Sequence, residues 1–342
     1  MFALTPMERW TAQKIGRGQA PLTREALESY QLQRLQETIR LVTANSGFYR
    51  NHLGVFADRS IKSLADIAAL PFTTANDLRQ AGPRMVCVSQ SCIHRVVTLT
   101  TSGTLGEPKR LWFTEDDQAL TIDFFRIGMS TLVAPGDRVL ILLPGERVGS
   151  VGELLARALE SAGVVAVPHG PVSSLAATLQ AIQSNKVNSL VGIPVQVLAL
   201  TRYSVQVGFR PRKMKSILLS TDHAADSLIR EVERNWQCRV FDHYGMTEMG
   251  LGGGVECEAH SGYHLREADL YFEIIDPDSG QLLPEGCEGE VVFSTLTRRG
   301  MPLIRYRTGD FSRFLPEKCA CGSVLKRLAR VGSRVVPGDG AY

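Results

Sequence analysis

Residues 100–109 read Thr-Thr-Ser-Gly-Thr-Leu-Gly-Glu-Pro-Lys and follow the apolar, β-branched run Val96-Val97-Thr98-Leu99. Gly103 and Gly106 leave backbone N–H groups free to converge on an anion, the hydroxyls of Thr101, Ser102 and Thr104 add donors, and Lys109 adds a cation. By composition this is a phosphate cradle. The spacing between the glycines is shorter than the Walker loop requires, and no Gly-Lys-Ser/Thr follows. A second stretch, Asp242-His243-Tyr244-Gly245-Met246-Thr247-Glu248, leaves a strand with an aromatic ring, a hydroxyl and a carboxylate. Such a loop is equipped to stack a base, touch a phosphate and hold Mg²⁺ through oxygen. In a third, Tyr306-Arg307-Thr308-Gly309-Asp310, a carboxylate falls in a tight turn, where its two acceptor oxygens suit a ribose diol. Taken singly, these are also an ordinary turn, a surface carboxylate and a turn-forming aspartate. Their co-occurrence gives the chemistry its weight.

A fourth constellation joins Cys257, His260 and His264 to the pair Cys319-Ala320-Cys321. Thiolates and imidazoles are the ligands Zn²⁺ prefers, and a structural site closes with four of them. Both histidines are candidates for the imidazole, and free thiols in a core are the alternative. Cys87, Cys92, Cys238 and Cys287 have no such company and read as packing residues.

These residues need a scaffold. Apolar residues at Leu27, Leu32, Leu35, Ile39 and Val42 recur with a helical period over 22–42, and Ser46-Gly47-Phe48-Tyr49 is expected to close that helix. Thr74 is placed to cap a short helix after Pro71. From 111 onward a strand at 111–113 and an acidic helix start at Thr114-Glu115-Asp116-Asp117 lead into a repeating pattern. Strands at 138–143, 164–167, 189–193, 216–219 and 239–241 alternate with helices at 152–161, 174–184, 195–203 and 225–235. That alternation predicts an α/β fold, a mostly parallel sheet flanked by helices, with ligands beyond the carboxyl ends of the strands. After Gly254 short strands at 270–275, 289–295 and 304–307, separated by turns, predict a smaller β-rich subdomain. The expected organisation is an α/β core over 1–254, the β-rich subdomain with a zinc site over 255–334, and a tail over 335–342.

The chain has 342 residues, 44% of them hydrophobic and 21% charged, with a net charge of +3. This is the composition of an ordinary globular protein, and the small net charge argues against a nucleic-acid partner. No run has the length of a signal peptide core or a membrane helix, so a cytoplasmic protein without a membrane partner is expected. Seven cysteines, an odd number, suit a reducing compartment.

The three motifs, in this order, resemble those of the adenylate-forming enzymes, the superfamily of acyl-CoA synthetases, adenylation domains and luciferases, and most of all its phenylacetate-CoA ligase branch. The resemblance spans roughly residues 30–334. It implies that Thr101, Ser102, Gly103, Thr104, Gly106 and Lys109 embrace the β- and γ-phosphates of ATP. It also implies that Tyr244 and Gly245 lie near the adenine, Thr247 contacts the α-phosphate, Glu248 binds Mg²⁺ and Asp310 binds the ribose. Lys109, Thr247 and Glu248 are the implied catalytic residues. Arg334, in Arg330-Val331-Gly332-Ser333-Arg334, matches the family's hinge-proximal Gly-Arg, and Ser220-Thr221-Asp222-His223 falls where the family contacts adenine. Some relatives in the branch carry a Cys, a Gly-x-His and a Cys-x-Cys-Gly, which implies Cys257, His264, Cys319 and Cys321 as the zinc ligands.

The implied reaction is attack of a small carboxylic acid on the α-phosphorus to give an acyl-adenylate and pyrophosphate, with CoA or a separate acceptor protein as partner in the second step. A homodimer is implied by the resemblance alone. The acyl pocket is expected from 143–151, His169-Gly170 and Gly192-Ile193-Pro194, where Glu146 and Arg147 would either favour a polar acid or form a salt-bridged rim. Two features depart from the family: Leu105 replaces a hydroxyl residue of the loop, and the C-terminal lid with its lysine does not follow Arg334. A lid-less nucleotide- or acyl-adenylate-binding module without turnover is therefore the second expectation.

Overall fold

The computed structural model describes residues 2–54, 61–99, 107–211 and 213–331, and the backbone of 333 and 334. The chain opens with a helix that the sequence reading missed, α1 (Pro6–Lys14), which starts on a proline whose missing N–H costs nothing at a helix start. Thr23 caps α2 (Arg24–Asn45) by accepting the Ala26 N–H at 3.3 Å. Ser46 ends α2 but also caps α3 (Gly47–Leu53), so the stretch expected to close a helix starts another. Thr74 caps α4 (Ala75–Ala81) as expected, in a reciprocal box with Asp77. Strands β1 (Arg95–Leu99) and β2 (Lys109–Phe113) form an antiparallel hairpin in which Leu99 pairs with Lys109. The loop residues Thr101, Ser102, Gly103, Thr104 and Gly106 lie outside the described residues.

Helix α5 (Glu115–Met129) leads into β3 (Arg138–Leu142), α6 (Val151–Ser161), β4 (Val165–Pro168), α7 (Leu175–Ser184), β5 (Ser189–Gly192), α8 (Pro194–Gln206), β6 (Ser216–Leu219), α9 (Asp226–Trp236) and β7 (Arg239–Tyr244). These strands stand in parallel in the order β7-β6-β5-β3-β4. The runs of β3, β5 and β6 are largely apolar because both faces are covered, whereas β7 carries Asp242 and His243 near its end. Val139, Ile141 and Leu143 pack with residues of α1, α5 and α6, whereas Leu140 and Leu142 pack with α7, α8 and α9. The antiparallel strands β8 (Gly254–Glu256) and β9 (Tyr263–Leu265) extend the sheet beyond β7.

A second sheet is built from β10 (Leu270–Ile275), β11 (Gly289–Thr295) and β12 (Tyr306–Ser312). Strand β13 (Arg327–Leu328) returns to β9 as the outer strand of the eight-stranded sheet, and β14 (Ser333–Arg334) completes the four-stranded one. Leu35, Ile39 and Tyr49 of α2 and α3 pack on this second sheet against Ile274, Phe293 and Tyr306. The fold class is the expected one, a helix-flanked and mostly parallel sheet beside smaller antiparallel sheets. Among the described residues no helix is long and apolar enough to cross a membrane.

Candidate active site

Lys109 opens β2, Glu248 lies in a single 3-10 turn (Thr247–Met249) just past β7, and Tyr306 begins β12. Lys109 Nζ lies 2.5 Å from Glu248 Oε1, and the Tyr306 hydroxyl donates to the same oxygen at 3.2 Å. The Glu248 side chain is only 2% exposed. Its charge is therefore held inside the protein by one cation and one hydroxyl. Thr247 is half-buried at the start of the same turn. Gly245 has to be glycine, because a Cβ there would lie 2.8 Å from both Gly252 Cα and the Leu251 carbonyl oxygen.

The Tyr244 hydroxyl donates to Asp310 Oδ2 at 2.9 Å. Neither residue sits where the sequence suggested. Tyr244 is the last residue of β7 and not part of a loop, since β7 runs on to pair with β8 at Tyr244↔Gly254. Asp310 lies within β12 and not in an isolated tight turn. Between the pairs Val292↔Arg307 and Glu290↔Phe311, β11 has Val291 alone while β12 has Thr308, Gly309 and Asp310. Gly309 adopts a φ of 73° there, and the resulting bulge re-aims the Asp310 carboxylate. The backbone of Arg334 pairs opposite Asp310 across β12 and β14.

His243 precedes Tyr244 on β7 and points to the opposite face, as strand alternation requires. Its Nε2 is 2.9 Å from Ser220 Oγ, and burial lowers its pKa to about 4, so it is neutral at neutral pH. Burial also raises Asp242 to about 6, although Tyr263 donates to its Oδ2 at 2.7 Å. Thr221, in the turn after β6, adopts a φ of 76°, a strained conformation for a β-branched residue.

Ser220 and His243 are the polar groups on a cavity of about 40 Å³ at the carboxyl ends of β3, β5, β6 and β7. Its walls include Phe124, Phe125, Met129, Leu143, Val191 and Leu218. The parallel strand order reverses direction here, with β3 flanked by β4 and β5, and such switch points are where open α/β sheets take ligands. Of the expected pocket segments, Leu143 and Val151 line the cavity, whereas His169, Gly170, Gly192, Ile193 and Pro194 do not. Glu146 and Arg147 are exposed and take no part in the lining, so the expectation of a charged border is corrected to an apolar one. The contribution of α5 was missed. Its signal was Phe124-Phe125 followed one turn later by Gly128-Met129, a helical spacing that puts two rings and a gap on one face.

A family model described as AMP-binding enzyme matches residues 65–297. The chain belongs to the AMP-binding enzymes. Within that family it is 32% identical over 326 residues to a phenylacetate-coenzyme A ligase of Aromatoleum evansii, covering 91% of this chain and 71% of the relative. It is 29% identical over 327 residues to the phenylacetate-coenzyme A ligase of Thermus thermophilus, covering 92% and 71%. Among solved structures, 2-hydroxyisobutyryl-CoA ligase in complex with 2-HIB-AMP and CoA in the thioesterification state superposes with a TM-score of 0.83 at 24% identity, over 92% of this chain and 69% of that one. Its open conformation gives 0.79 at 23% identity, over 90% and 68%. This is a likeness of fold.

This AMP-binding enzyme also gathers the cysteines. Cys257 follows β8, His264 is on β9, and Cys319 and Cys321 precede β13, which pairs Arg327 with His264. All four are buried, and their ligand atoms lie within 4.8 Å of one another. Cys257 Sγ is 3.6 Å from Cys319 Sγ, and Cys321 Sγ is 3.4 Å from His264 Nε2. Tetrahedral Zn–S and Zn–N bonds imply edges of about 3.8 Å for S–S and about 3.6 Å for S–N, so the donor set fits. His260 is elsewhere, with Nδ1 3.2 Å from Glu256 and its ring against Phe241. Of the remaining cysteines, Cys87 and Cys238 are buried as expected, but Cys92 and Cys287 are exposed and pack no core.

Proposed function

We propose that this AMP-binding enzyme activates an apolar, aromatic carboxylic acid with ATP and passes the acyl group to CoA. The observation that carries this reading is the arrangement around β7. Tyr244 and Glu248 face Asp310 and Lys109, while the neighbouring His243 faces an apolar cavity. A nucleotide on one side and an acyl group on the other would meet at the end of one strand. Asp310 would accept the ribose hydroxyls, Tyr244 would border the base, and Lys109 would neutralise charge on the phosphates. A substrate carboxylate oxygen forms a bond to the α-phosphorus as the bond to pyrophosphate breaks. In the second step the CoA thiol loses its proton and attacks the acyl carbonyl, and AMP leaves. Thr247, half-buried beside Glu248, would donate to an α-phosphate oxygen. Catalysis of this kind is positioning and charge stabilisation.

Glu248 offers Mg²⁺ the hard oxygen ligand it requires, and the metal would supply charge neutralisation on the phosphates. The cluster of Cys257, His264, Cys319 and Cys321 is proposed to hold a structural zinc. Phenylacetate, named by the relatives, is the first acid to try. Isotope exchange between pyrophosphate and ATP, with Mg²⁺ and a panel of aromatic and polar acids, tests the reading. Exchange dependent on an aromatic acid is expected. ATP binding with no exchange on any acid would instead favour a binding module without turnover.

A further inference from the structure

A second, smaller cavity of about 20 Å³ lies behind the turn that carries Glu248. Met249 and Gly250 form one wall, and the other walls include Asp117, Thr121, Arg266 and Arg298. Arg298 is 6% exposed, stacks over Phe113 at 5.0 Å, and has an Nη1 with no hydrogen-bond partner among the described residues. A buried guanidinium left in this state is costly. The acids nearby are already committed. Asp117 accepts the N–H groups of Thr114, Arg299 and Gly300, at 3.0, 2.9 and 3.0 Å. Asp269 accepts from Lys14, Arg266 and Thr297, at 2.8, 2.7 and 2.9 Å. The Thr121 hydroxyl donates to the Gly250 carbonyl at 3.1 Å and has no further proton to give. Two arginines and two aspartates on the walls balance, Lys14 is shared between Asp269 and Asp123 at 2.8 and 3.7 Å, and Arg298 Nη1 is left as a cationic donor without an acceptor among the described residues.

We infer that this cavity is a binding site for a single monatomic anion of chloride size, held by Arg298 Nη1. The volume has room for about one small particle, which favours a monatomic anion. Burial, with the charge of Arg266 adding to it, outweighs Asp117 and Glu248 and lowers Arg298 to about 10, and a bound anion would oppose that shift. The anion would sit against Gly250, whose φ of 76° and tight approach to Arg298 fix the chain as it leaves Glu248.

The test is thermal unfolding of the full chain in sodium chloride, sodium bromide and sodium gluconate at matched ionic strength. Chloride and bromide are expected to raise the melting temperature saturably by about 2–4 °C over gluconate. Identical curves in the three salts would overturn the proposal. Arg298→Met keeps a side chain of similar reach and should abolish the halide-specific rise; its persistence would also overturn the assignment. Should that variant not fold, bromide-soaked crystals of the unsubstituted protein decide the matter. An anomalous peak beside Arg298 Nη1 supports the site, and an ordered water there refutes it.

Discussion

Lys109 and Glu248, 139 residues apart in the sequence, meet as a buried ion pair at 2.5 Å. Each is therefore the other's partner, and on the proposed reading ATP with Mg²⁺ would have to take over both charges. Glu248→Gln keeps an acceptor for Lys109 and Tyr306 but removes the charge a metal needs. Pyrophosphate release is expected to fall by about 100-fold or more, with an unchanged circular dichroism spectrum. Turnover at the original rate would remove Glu248 from the metal site.

Asp310 is aimed by a bulge and is held by the Tyr244 hydroxyl at 2.9 Å. Asp310→Ala should weaken ATP binding by about 10- to 150-fold, the loss of hydrogen bonds to a charged group worth ~1.5–3 kcal/mol. Titration calorimetry reads this directly. An unaltered affinity would mean that the ribose is bound elsewhere.

The parallel sheet was legible because its strands are short apolar runs between helices of regular period, and the motif residues were legible because three stretches, each an ordinary turn by itself, occur together in one order. Other features depend on pairing that sequence does not display. Tyr244 was read as a loop residue because Asp242 and His243 interrupt the apolar run of β7, yet β8 supplies the hydrogen bonds that prolong the strand. Asp310 was read as a turn because of Gly309, and only the register of β11 against β12 reveals a bulge. Hydrogen bonding crosses the boundary expected at 254, since β8, β9 and β13 join the large sheet. The apolar pocket was misjudged because Glu146 and Arg147 lie in the loop that follows β3, whereas much of the wall comes from α5, a helix read only at its start.

Gly128 is the narrowest residue beside the cavity, and a Cβ there would meet Val255 Cγ1 at an ordinary 3.7 Å. Gly128→Ala should therefore leave folding intact, while Gly128→Leu should fill the space meant for the acyl group. For an aromatic acid the leucine variant is expected to lose about 10- to 200-fold in kcat/KM while the Kd for ATP stays the same. Equal losses for small and large acids would dissociate this cavity from substrate choice.

His243 and Asp242 are neighbours with opposite responses to acid. Burial lowers His243 to about 4, so between the ordinary histidine value and 4 the unfolded chain takes up a proton that the folded protein refuses, and stability falls as pH falls. Asp242 is raised to about 6, so its contribution is fully present at low pH and is lost as pH rises through 6. Replacing His243 with glutamine removes the first effect and keeps a partner for Ser220. Urea unfolding at pH 4.5 and pH 7 should show the variant gaining about 1–3 kcal/mol relative to the parent at the lower pH. A constant difference between the two proteins at both pH values would show that folding does not shift the pKa of His243.

Cys257, His264, Cys319 and Cys321 tie the β8–β9 hairpin to the segment that becomes β13, at the edge of the large sheet farthest from β4. If zinc closes the cluster, its binding free energy adds to the folding free energy of these short strands. Elemental analysis should find about one zinc per chain, and Cys319→Ser should lose it. The melting temperature is then expected to fall by about 5 °C or more. Hydrogen exchange should show protection lost first in β9 and β13, while β3, β5 and β6 keep theirs. A parent protein that carries no zinc, or a serine variant with full protection in β9, would make the four residues a packed thiol cluster and nothing more.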